Sequence, residues 1–315
     1  MLTDIQKHTP TDSPTHVWNL PEPLETAEVE ATAGARIILR RHGNPAGPRL
    51  VLSHANGLAT DLYYPFWRLL GAHFDLILYD LRSHGWNPRS QLRHQNIAVF
   101  AADHELVRRG IENAFGAKPA VGVFHLVSAL AALHQDPPGH GFEALVLFDP
   151  PLYPPSGDPY VARPLWRRLR TQARFRRDHF STREEFAEHI RRLWMFELVV
   201  PGIPELASQT LLRSSANGEG RVGYELRCPR LWEAHALEYA FAYCLEPERS
   251  RFACPVKVIA GDPTLAFSFM PSADVEGLAG FEYDFIPHTT HFFPLEEPTE
   301  CAATLIAFLR KQGFW

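Results

Sequence analysis

Long apolar runs, a basic leader and zinc-type cysteine pairs are all missing from this sequence. No stretch approaches about 18 consecutive apolar residues, and the N-terminal segment has no basic region followed by an apolar core. We therefore expect a cytoplasmic protein with neither a membrane span nor a secretory signal. The 4 cysteines form no CxxC pair and no Cys/His cluster, so we expect free buried thiols, no metal site and no cofactor.

An excess of positive charge is also missing. Lys and Arg number 31 against 36 Asp and Glu, which gives a formal net charge of -5. A protein that binds nucleic acid through its phosphates is expected to have the opposite sign. The expected partner is a small-molecule substrate, with no nucleic-acid or membrane partner, and the oligomeric state stays open. With 315 residues, of which 45% are hydrophobic, the chain can bury a sizeable core.

Short apolar runs alternate with segments of helical spacing from about residue 36 onward. Gly, Pro or Asn closes runs such as ARIILRRHG, PRLVLSHANG and FDLILYDLRSHG, which is typical of strands. Residues 98–115 and 128–135 have the spacing of helices. This alternation predicts an α/β fold with a mainly parallel sheet and helices on both faces.

The alternation stops after Asp149-Pro150-Pro151 and resumes at Cys254-Pro255. The stretch between them has the pattern of helices and loops, with a capping-box sequence that predicts a helix start near Thr182. We interpret it as an inserted helical cap that lies over the strand ends. The predicted organisation is an N-terminal lead-in at 1–35, a core at 36–150 and 253–315, and a cap at 151–252.

Arginine is concentrated near the start of this insertion. A solvated helix face is the favoured interpretation, because arginine-rich exposed faces are common. The alternative is that these residues attract an anionic group of the substrate, such as a carboxylate or a phosphate. The residues are Arg163, Arg167, Arg168, Arg170, Arg174, Arg176 and Arg177.

Three motifs follow one another in an order that is informative. Ser53-His54-Ala55-Asn56-Gly57 comes after one strand, Asp80-Leu81-Arg82-Ser83-His84-Gly85 comes after the next, and HFFPLEEP begins at His291 before the last helix. Together with the insertion, they make the chain resemble the α/β-hydrolase superfamily from about residue 36 to the end. The resemblance implies an α/β-hydrolase fold with an ester or amide hydrolase ancestry. Such chemistry needs a nucleophile, a base, an orienting acid and donors for an oxyanion.

The resemblance assigns the base and the acid to the C-terminal half. The family pattern places the base at His291, with His288 as the competing histidine. Asp262 is the preferred acid, although it follows Gly261 directly, whereas relatives place the acid further from the glycine. Asp149 is the alternative acid, and either aspartate can also be a plain Asp-Pro turn.

The nucleophilic serine of the family pattern is missing. A nucleophile elbow has the form G-x-S-x-G between a strand and a helix, but here PAVGV leads into Phe124-His125-Leu126. One alignment puts Leu126 at the nucleophile position and the other puts Phe124 there, and neither side chain can attack a carbonyl. Ser128 lies two residues downstream, where we favour a helix-capping role over a nucleophilic one.

The remaining expectations concern the oxyanion donors and the substrate pocket. The resemblance implies that the main-chain N–H groups of Asn56 and Val127 bind an oxyanion, with the Asn56 amide as a further donor. The aromatic and apolar residues near these motifs indicate a pocket for a small, largely apolar molecule. Its expected lining residues are Leu58, Tyr63, Phe124, His125 and Tyr153.

Three functional hypotheses remain open at this stage. The chain can be a hydrolase relative in which acyl-serine hydrolysis is absent or weak. It can run serine-free chemistry in which His291 and an aspartate form a general base, as in lyases or cofactor-independent oxygenases of the fold. It can also be a binding or scaffold protein, because a fold alone does not determine a function.

Overall fold

A computed structural model describes residues 17–152, 163–216, 222–243, 251–265 and 281–315. Its centre is an eight-stranded sheet in the order β1-β2-β4-β3-β5-β6-β10-β11. The strands from β4 to β11 in that order are parallel to their neighbours, whereas β2 is antiparallel to both β1 and β4. The strands are β1 Glu25–Ala31, β2 Ala35–Gly43, β3 Arg49–Ser53, β4 Asp75–Tyr79, β5 Ala120–His125, β6 Ala144–Phe148, β10 Val256–Gly261 and β11 Glu282–Ile286.

The helices connect these strands, belong to the insertion or follow β11. They are α1 Tyr64–Trp67, α2 Ile97–Phe115, α3 Val127–Leu133, α4 Arg163–Phe175, α5 Arg183–Arg191, α6 Ile203–Thr210, α7 Arg230–Ala242, α8 Phe293–Glu296 and α9 Pro298–Lys311. None of the helices in the described ranges is long and apolar enough to cross a membrane.

The sheet is buried because both of its faces are covered. Every residue of β3, β4, β6 and β10 is buried, as expected when parallel strands carry continuous apolar runs. Successive residues of β3 alternate between two hydrophobic clusters, with Leu50 and Leu52 in one and Val51 in the other. The two clusters therefore pack on opposite faces of the sheet.

The insertion contains a small sheet as well as helices, which corrects the expectation of helices and loops alone. Strands β7 His179–Phe180, β8 Leu212–Ala216 and β9 Val222–Leu226 form an antiparallel sheet in the order β7-β9-β8. The sequences LRSSA and VGYEL are short and mix polar with apolar residues, so they carry a weak strand signal. The predicted helix start is confirmed, because Thr182 accepts a hydrogen bond from the Glu185 N–H at the start of α5.

The strand order places a crevice at the carboxyl edge of the sheet. Strand β3 lies between β4 and β5, so the chain leaves β3 towards one side of the sheet and later returns on its other side at β5. Open α/β sheets bind ligands where the strand order reverses in this way. The loop that follows β3 and the turn that follows β5 therefore meet at one edge.

Candidate active site

Leu126 forms the sharp turn between β5 and α3. Its backbone has φ 49° and ψ −103°, a region that a non-glycine residue occupies only with strain. Its N–H donates to the Phe148 carbonyl at 3.1 Å, and its buried side chain lines a cavity. This strained strand–turn–helix arrangement is the geometry that projects the nucleophile in a nucleophile elbow.

Ser128 stabilises this turn and does not line the cavity. Its hydroxyl donates to the His125 carbonyl at 2.9 Å and accepts from the His125 N–H at 2.9 Å. The side chain is fully buried in the first turn of α3. The serine is therefore not the helix cap that the sequence analysis favoured, because Leu126 is at the N-cap position and Ser128 bonds to the strand side of the turn.

His291 pairs with Asp149, the alternative acid of the sequence analysis. The ring Nδ1–H donates to Asp149 Oδ2 at 2.6 Å, and both side chains are buried. A neutral imidazole with its proton on Nδ1 carries its lone pair on Nε2, which is the atom that can accept a proton. Asp149 follows β6, the strand beside the elbow strand β5, so it is closer to the turn than a residue after β10.

Asp262 supports the histidine loop and is not bonded to the ring, which corrects the preference for it as the acid. Its carboxylate accepts from the Thr264 N–H, the Thr264 hydroxyl and the His288 N–H. Its own N–H donates to the Thr289 carbonyl at 2.7 Å. A Cβ on Gly261 would lie 2.2 Å from the Thr290 carbonyl oxygen, so only glycine lets this strand end pass the loop.

The loop after β3 presents main-chain donors beside the cavity. The Ala55 N–H donates to the Tyr63 hydroxyl at 3.1 Å, and the Gly57 N–H donates to His84 Nε2 at 3.1 Å. Burial, with a smaller effect from His54, lowers the pKa of His84 to about 3, which keeps that ring neutral and able to accept. Among the described contacts the Asn56 N–H has no hydrogen-bond partner, and Asn56 lines the cavity.

The Asn56 side chain also joins two parts of the structure. Its amide nitrogen donates to the Glu233 carbonyl at 3.0 Å, which ties the loop to α7. Val127 starts α3 with its side chain fully buried. Its N–H belongs to the first turn of that helix, where main-chain N–H groups lack intrahelical acceptors.

The expected pocket residues have three different locations. Of the described residues, the cavity wall includes Leu58 but not Tyr63, Phe124 or His125, and this corrects those three assignments. Phe124 packs against Tyr79, His104 and Phe142 in the cluster on the opposite sheet face. Tyr153 lies outside the described residues.

Tyr63 and His125 form a buried link beneath the site. The Tyr63 hydroxyl, which accepts from the Ala55 N–H, donates to His125 Nδ1 at 2.7 Å. The His125 and His291 ring centroids are 4.4 Å apart. Burial, followed by the neighbouring His291, lowers the pKa of His125 well below its ordinary value. A neutral His125 therefore lies between the loop after β3 and the ring that pairs with Asp149.

The cavity lies between the core and the insertion and has a volume of about 530 Å³. Most of its wall is aliphatic or aromatic, so it suits a largely apolar molecule. The core contributes Leu126, His291 and the loop at Asn56. The insertion contributes the apolar residues Leu169, Phe186, Ile190, Leu193, Trp194, Met195, Phe196, Leu211, Leu226 and Leu237.

An ion pair crosses the insertion side of this cavity. Arg176 Nη2 lies 2.6 Å from Glu233 Oε2, and both residues line the wall. Burial raises the pKa of Glu233, and Arg176 opposes that rise. A Cβ on Gly57 would lie 2.7 Å from the Glu233 Cδ, so the glycine lets the carboxylate approach the loop after β3. Arg176 belongs to the arginine-rich segment of the sequence, but no sequence motif marks Glu233.

Candidate metal ligands are not grouped here. Within the described ranges, no group of three or more His, Cys, Asp or Glu side chains has an arrangement that could hold a metal ion. Cys228 and Cys301 are buried free thiols, Cys254 is a partly buried one, and Cys244 lies outside the described residues.

Comparisons with known structures agree on the fold. The chain is similar to E-2-(acetamidomethylene)succinate hydrolase, with a TM-score of 0.71 and 14% identity over 91% of this chain and 99% of that one. It is also similar to the enol-lactonase from Burkholderia xenovorans LB400, with a TM-score of 0.64 and 19% identity over 90% and 100%. A thioesterase domain from the curacin biosynthetic pathway has a TM-score of 0.67 and 14% identity over 90% and 99%.

Sequence comparison gives the family but no individual relative. No curated protein matched the chain. The model of the α/β-hydrolase family, Abhydrolase_6, matches residues 50–304, a range that includes Leu126, Asp149 and His291. The matched range covers most of the chain and agrees with the structural similarities. This chain therefore belongs to the α/β-hydrolase family.

Proposed function

We propose that this chain is a serine-independent enzyme in which His291, oriented by Asp149, acts as a general base on a small, largely apolar organic substrate. The observation that carries the proposal is the 2.6 Å bond between the two buried side chains, beside a cavity whose wall includes His291 and Leu126. A carboxylate fully buried against a histidine is costly to desolvate, and an acid–base role gives that arrangement a use.

The proton is accepted by His291 Nε2. Asp149 holds the ring through Nδ1–H and stabilises the imidazolium that forms when Nε2 takes a proton from the substrate or from water. Negative charge that develops on a substrate oxygen is stabilised by the N–H groups of Asn56 and Val127. Leu126 cannot form an acyl-enzyme, so the chemistry is proton abstraction of the lyase or cofactor-independent oxygenase type.

Non-catalytic binding is the second candidate. It is favoured by Leu126, whose apolar side chain fills the nucleophile position and forms part of the cavity wall. The names of two similar structures, a succinate-derivative hydrolase and an enol-lactonase, support small organic molecules as ligands in either case.

Solvent deuterium exchange separates the two candidates. We expect the parent protein to exchange the α-protons of bound medium-chain methyl ketones or oxo acids in D2O, measured by NMR. His291→Ala should lower the exchange rate by roughly 10²- to 10⁴-fold, which is the usual contribution of a general base. His288→Asn is the matched control, since that residue is exposed and its hydrogen bond to Asp262 comes from its main-chain N–H. If compounds of this panel bind but none of them exchanges its α-protons, the catalytic proposal fails and the binding function remains.

The same machinery can be tested by restoring a nucleophile. We expect Leu126→Ser to gain hydrolysis of p-nitrophenyl esters and labelling at residue 126 by a fluorophosphonate probe, because the turn already has the elbow geometry. In that background, Asp149→Asn should remove most of the activity and Asp262→Asn should leave most of it. Labelling of the parent at Ser128, or equal losses from both aspartates, would contradict the assignment.

A further inference from the structure

Arg176 and Arg177 of the basic segment both line the cavity beside His291. Arg177 pairs with the partly exposed Glu185 at 2.6 Å, whereas the partner of Arg176 is itself part of the cavity wall. The exposed arginines of the same segment, in agreement with a solvated helix face, are Arg167, Arg168 and Arg174. The Arg176 guanidinium pairs with Glu233 at 2.6 Å in the cavity wall. Its Nε is buried and has no hydrogen-bond partner within the described part of the chain. The guanidinium therefore retains donor capacity beyond its contact with Glu233.

Glu233 is held against the oxyanion loop. It lies in the first turn of α7, and its main-chain carbonyl accepts from the Asn56 amide. The charged group that opposes the effect of burial on its pKa is the Arg176 guanidinium. Glu233 in turn adds to the effect of burial in raising the pKa of the neighbouring Cys228 thiol, so that thiol is neutral. Burial raises the pKa of the Glu233 carboxyl, so this group takes up a proton more readily than an exposed glutamate does.

The rest of the cavity has little polar character. Arg176 and Glu233 neutralise one another while the pair is intact, and the remaining wall is mainly aliphatic and aromatic. A wholly apolar ligand would leave this ion pair buried beneath it, at a cost in desolvation and with no new hydrogen bond. A ligand with one anionic end uses the guanidinium directly and places its apolar part along the wall.

We propose that the cavity binds a mainly apolar monocarboxylate, whose carboxylate pairs with the Arg176 guanidinium while Glu233 takes up one proton from solvent. Two carboxylates that share one guanidinium in an apolar site cannot both stay ionised without strong repulsion, so one of them becomes protonated. Glu233 is the one that protonates, because it lies against the apolar wall and its neighbour Cys228 offers no positive charge. The proposal shares its cavity with the proposed function but needs no turnover.

Binding of a matched pair of probes tests the proposal. We expect calorimetry to show that decanoate binds at least roughly tenfold more tightly than decanamide, its neutral counterpart, and that one proton is taken up when buffers of different ionisation enthalpy are compared. Where ligand-free Glu233 is ionised, the Kd of decanoate should rise about tenfold per pH unit. Decanamide affinity should not depend on pH in this way. Calorimetry measures binding and no chemical step. A failure to bind decanoate therefore leaves the general-base proposal standing, and a failure of deuterium exchange leaves the monocarboxylate proposal standing.

Variants identify the two groups. Arg176→Gln should weaken decanoate binding at least roughly tenfold while decanamide binding is retained, which also shows that the cavity is still folded. Glu233→Gln should abolish proton uptake and the pH dependence of decanoate binding. The control is Arg170→Gln, which breaks the exposed Arg170–Glu238 pair at 2.8 Å between the same two segments of the insertion and should change neither affinity.

Three results would overturn the proposal. The first is equal affinity of the parent for decanoate and decanamide, or no saturable binding of decanoate. The second is decanoate binding without proton uptake. The third is an Arg176→Gln variant that binds both probes as the parent does.

Discussion

At the scale of single residues, Leu126 combines a demanding backbone conformation with a side chain that cannot perform the usual chemistry. Its positive φ of 49° costs on the order of 1–3 kcal/mol for a non-glycine residue. The surrounding structure maintains this conformation through the Leu126 N–H bond to Phe148 and the two Ser128 bonds to the His125 main chain. The elbow is therefore a property of the fold around residue 126 and does not require a serine there.

Comparison of two small substitutions measures this strain. We expect Leu126→Gly to be more stable than Leu126→Ala by about 1 kcal/mol, because glycine adopts a positive φ without a steric penalty. Both variants lose the leucine side chain, so its packing cancels in the difference. Urea denaturation of the two proteins gives the comparison. At an ordinary helical position alanine is more stable than glycine. If Leu126→Ala were the more stable variant here, the backbone at residue 126 would carry no strain.

The acid illustrates what residue-level patterns cannot determine. A motif places an aspartate at the end of a strand, but the spatial order of the strands decides which aspartate reaches the histidine loop. Asp149 follows β6, next to the elbow strand, whereas Asp262 follows β10, one strand further away. The hydrogen bonds of Asp262 to Thr264 and to the His288 N–H are local to its own turn and the adjacent loop. This arrangement is set by the tertiary fold, which the sequence pattern does not contain.

At the scale of elements, the central strands were predictable and the small sheet of the insertion was not. Strands such as β3 and β6 are continuous apolar runs closed by turn residues, so their signal is strong. Strands β8 and β9 are short and partly polar, and each is a strand because it pairs with the other. The sheet face on which a β5 side chain lies depends on how that strand is placed in the sheet. The sequence alone does not give this placement, so Phe124 was expected in the pocket but lies on the opposite face.

One buried carboxylate connects three strands of the sheet at the edge opposite the site. Asp75, the first residue of β4, accepts from Arg41 Nε of β2 at 2.7 Å and from Arg49 Nε of β3 at 3.0 Å. Asp75 is fully buried and Arg49 is almost so. Arg41 also pairs with Glu25 at 3.0 Å, and Lys118 lies 3.3 Å from Asp75. Asp75 is thus the carboxylate that pairs with the buried Arg49, and it bonds to both neighbouring strands.

Removal of this carboxylate should be strongly destabilising. We expect Asp75→Ala to lower the free energy of unfolding by about 3–5 kcal/mol, because it leaves the Arg49 guanidinium buried without its counter-charge. The control is Glu28→Ala, which breaks an exposed pair with Arg36 at 3.4 Å and should cost at most about 1 kcal/mol. Chemical denaturation measures both. A loss from Asp75→Ala no larger than that from the control would contradict the bridging role.

At the scale of the whole molecule, histidines buried in the core couple folding to pH. Burial lowers the pKa of His42, His84 and His104 to about 4, 3 and 4, respectively. These rings belong to β2, to the loop after β4 and to α2, so the effect is spread over the core and not confined to the cavity. Their neutral state is a condition of the native packing, as in the bond from the Gly57 N–H to His84.

The pH dependence of stability follows from the sign of these shifts. In the unfolded chain a histidine binds its proton near pH 6.5, whereas the folded protein binds it only at a lower pH. Stability is therefore fully present above about pH 6.5 and falls as the pH drops, until the folded-state pKa values near 3 to 4 are reached. We expect His42 by itself to account for up to about 2 kcal/mol between pH 7 and pH 5.

Substitution of His42 separates this titration from packing. We expect His42→Gln to reduce the difference in the free energy of unfolding between pH 7 and pH 5 by up to about 2 kcal/mol, because a glutamine has no proton to bind in either state. Trp67→Phe, which alters the ring packed 5.0 Å from His42, is the control, since it should lower stability at both pH values without removing a titrating group. Urea denaturation at the two pH values measures the differences. If His42→Gln had the same pH dependence as the parent, His42 would have to take up its proton in the folded protein as readily as in the unfolded chain.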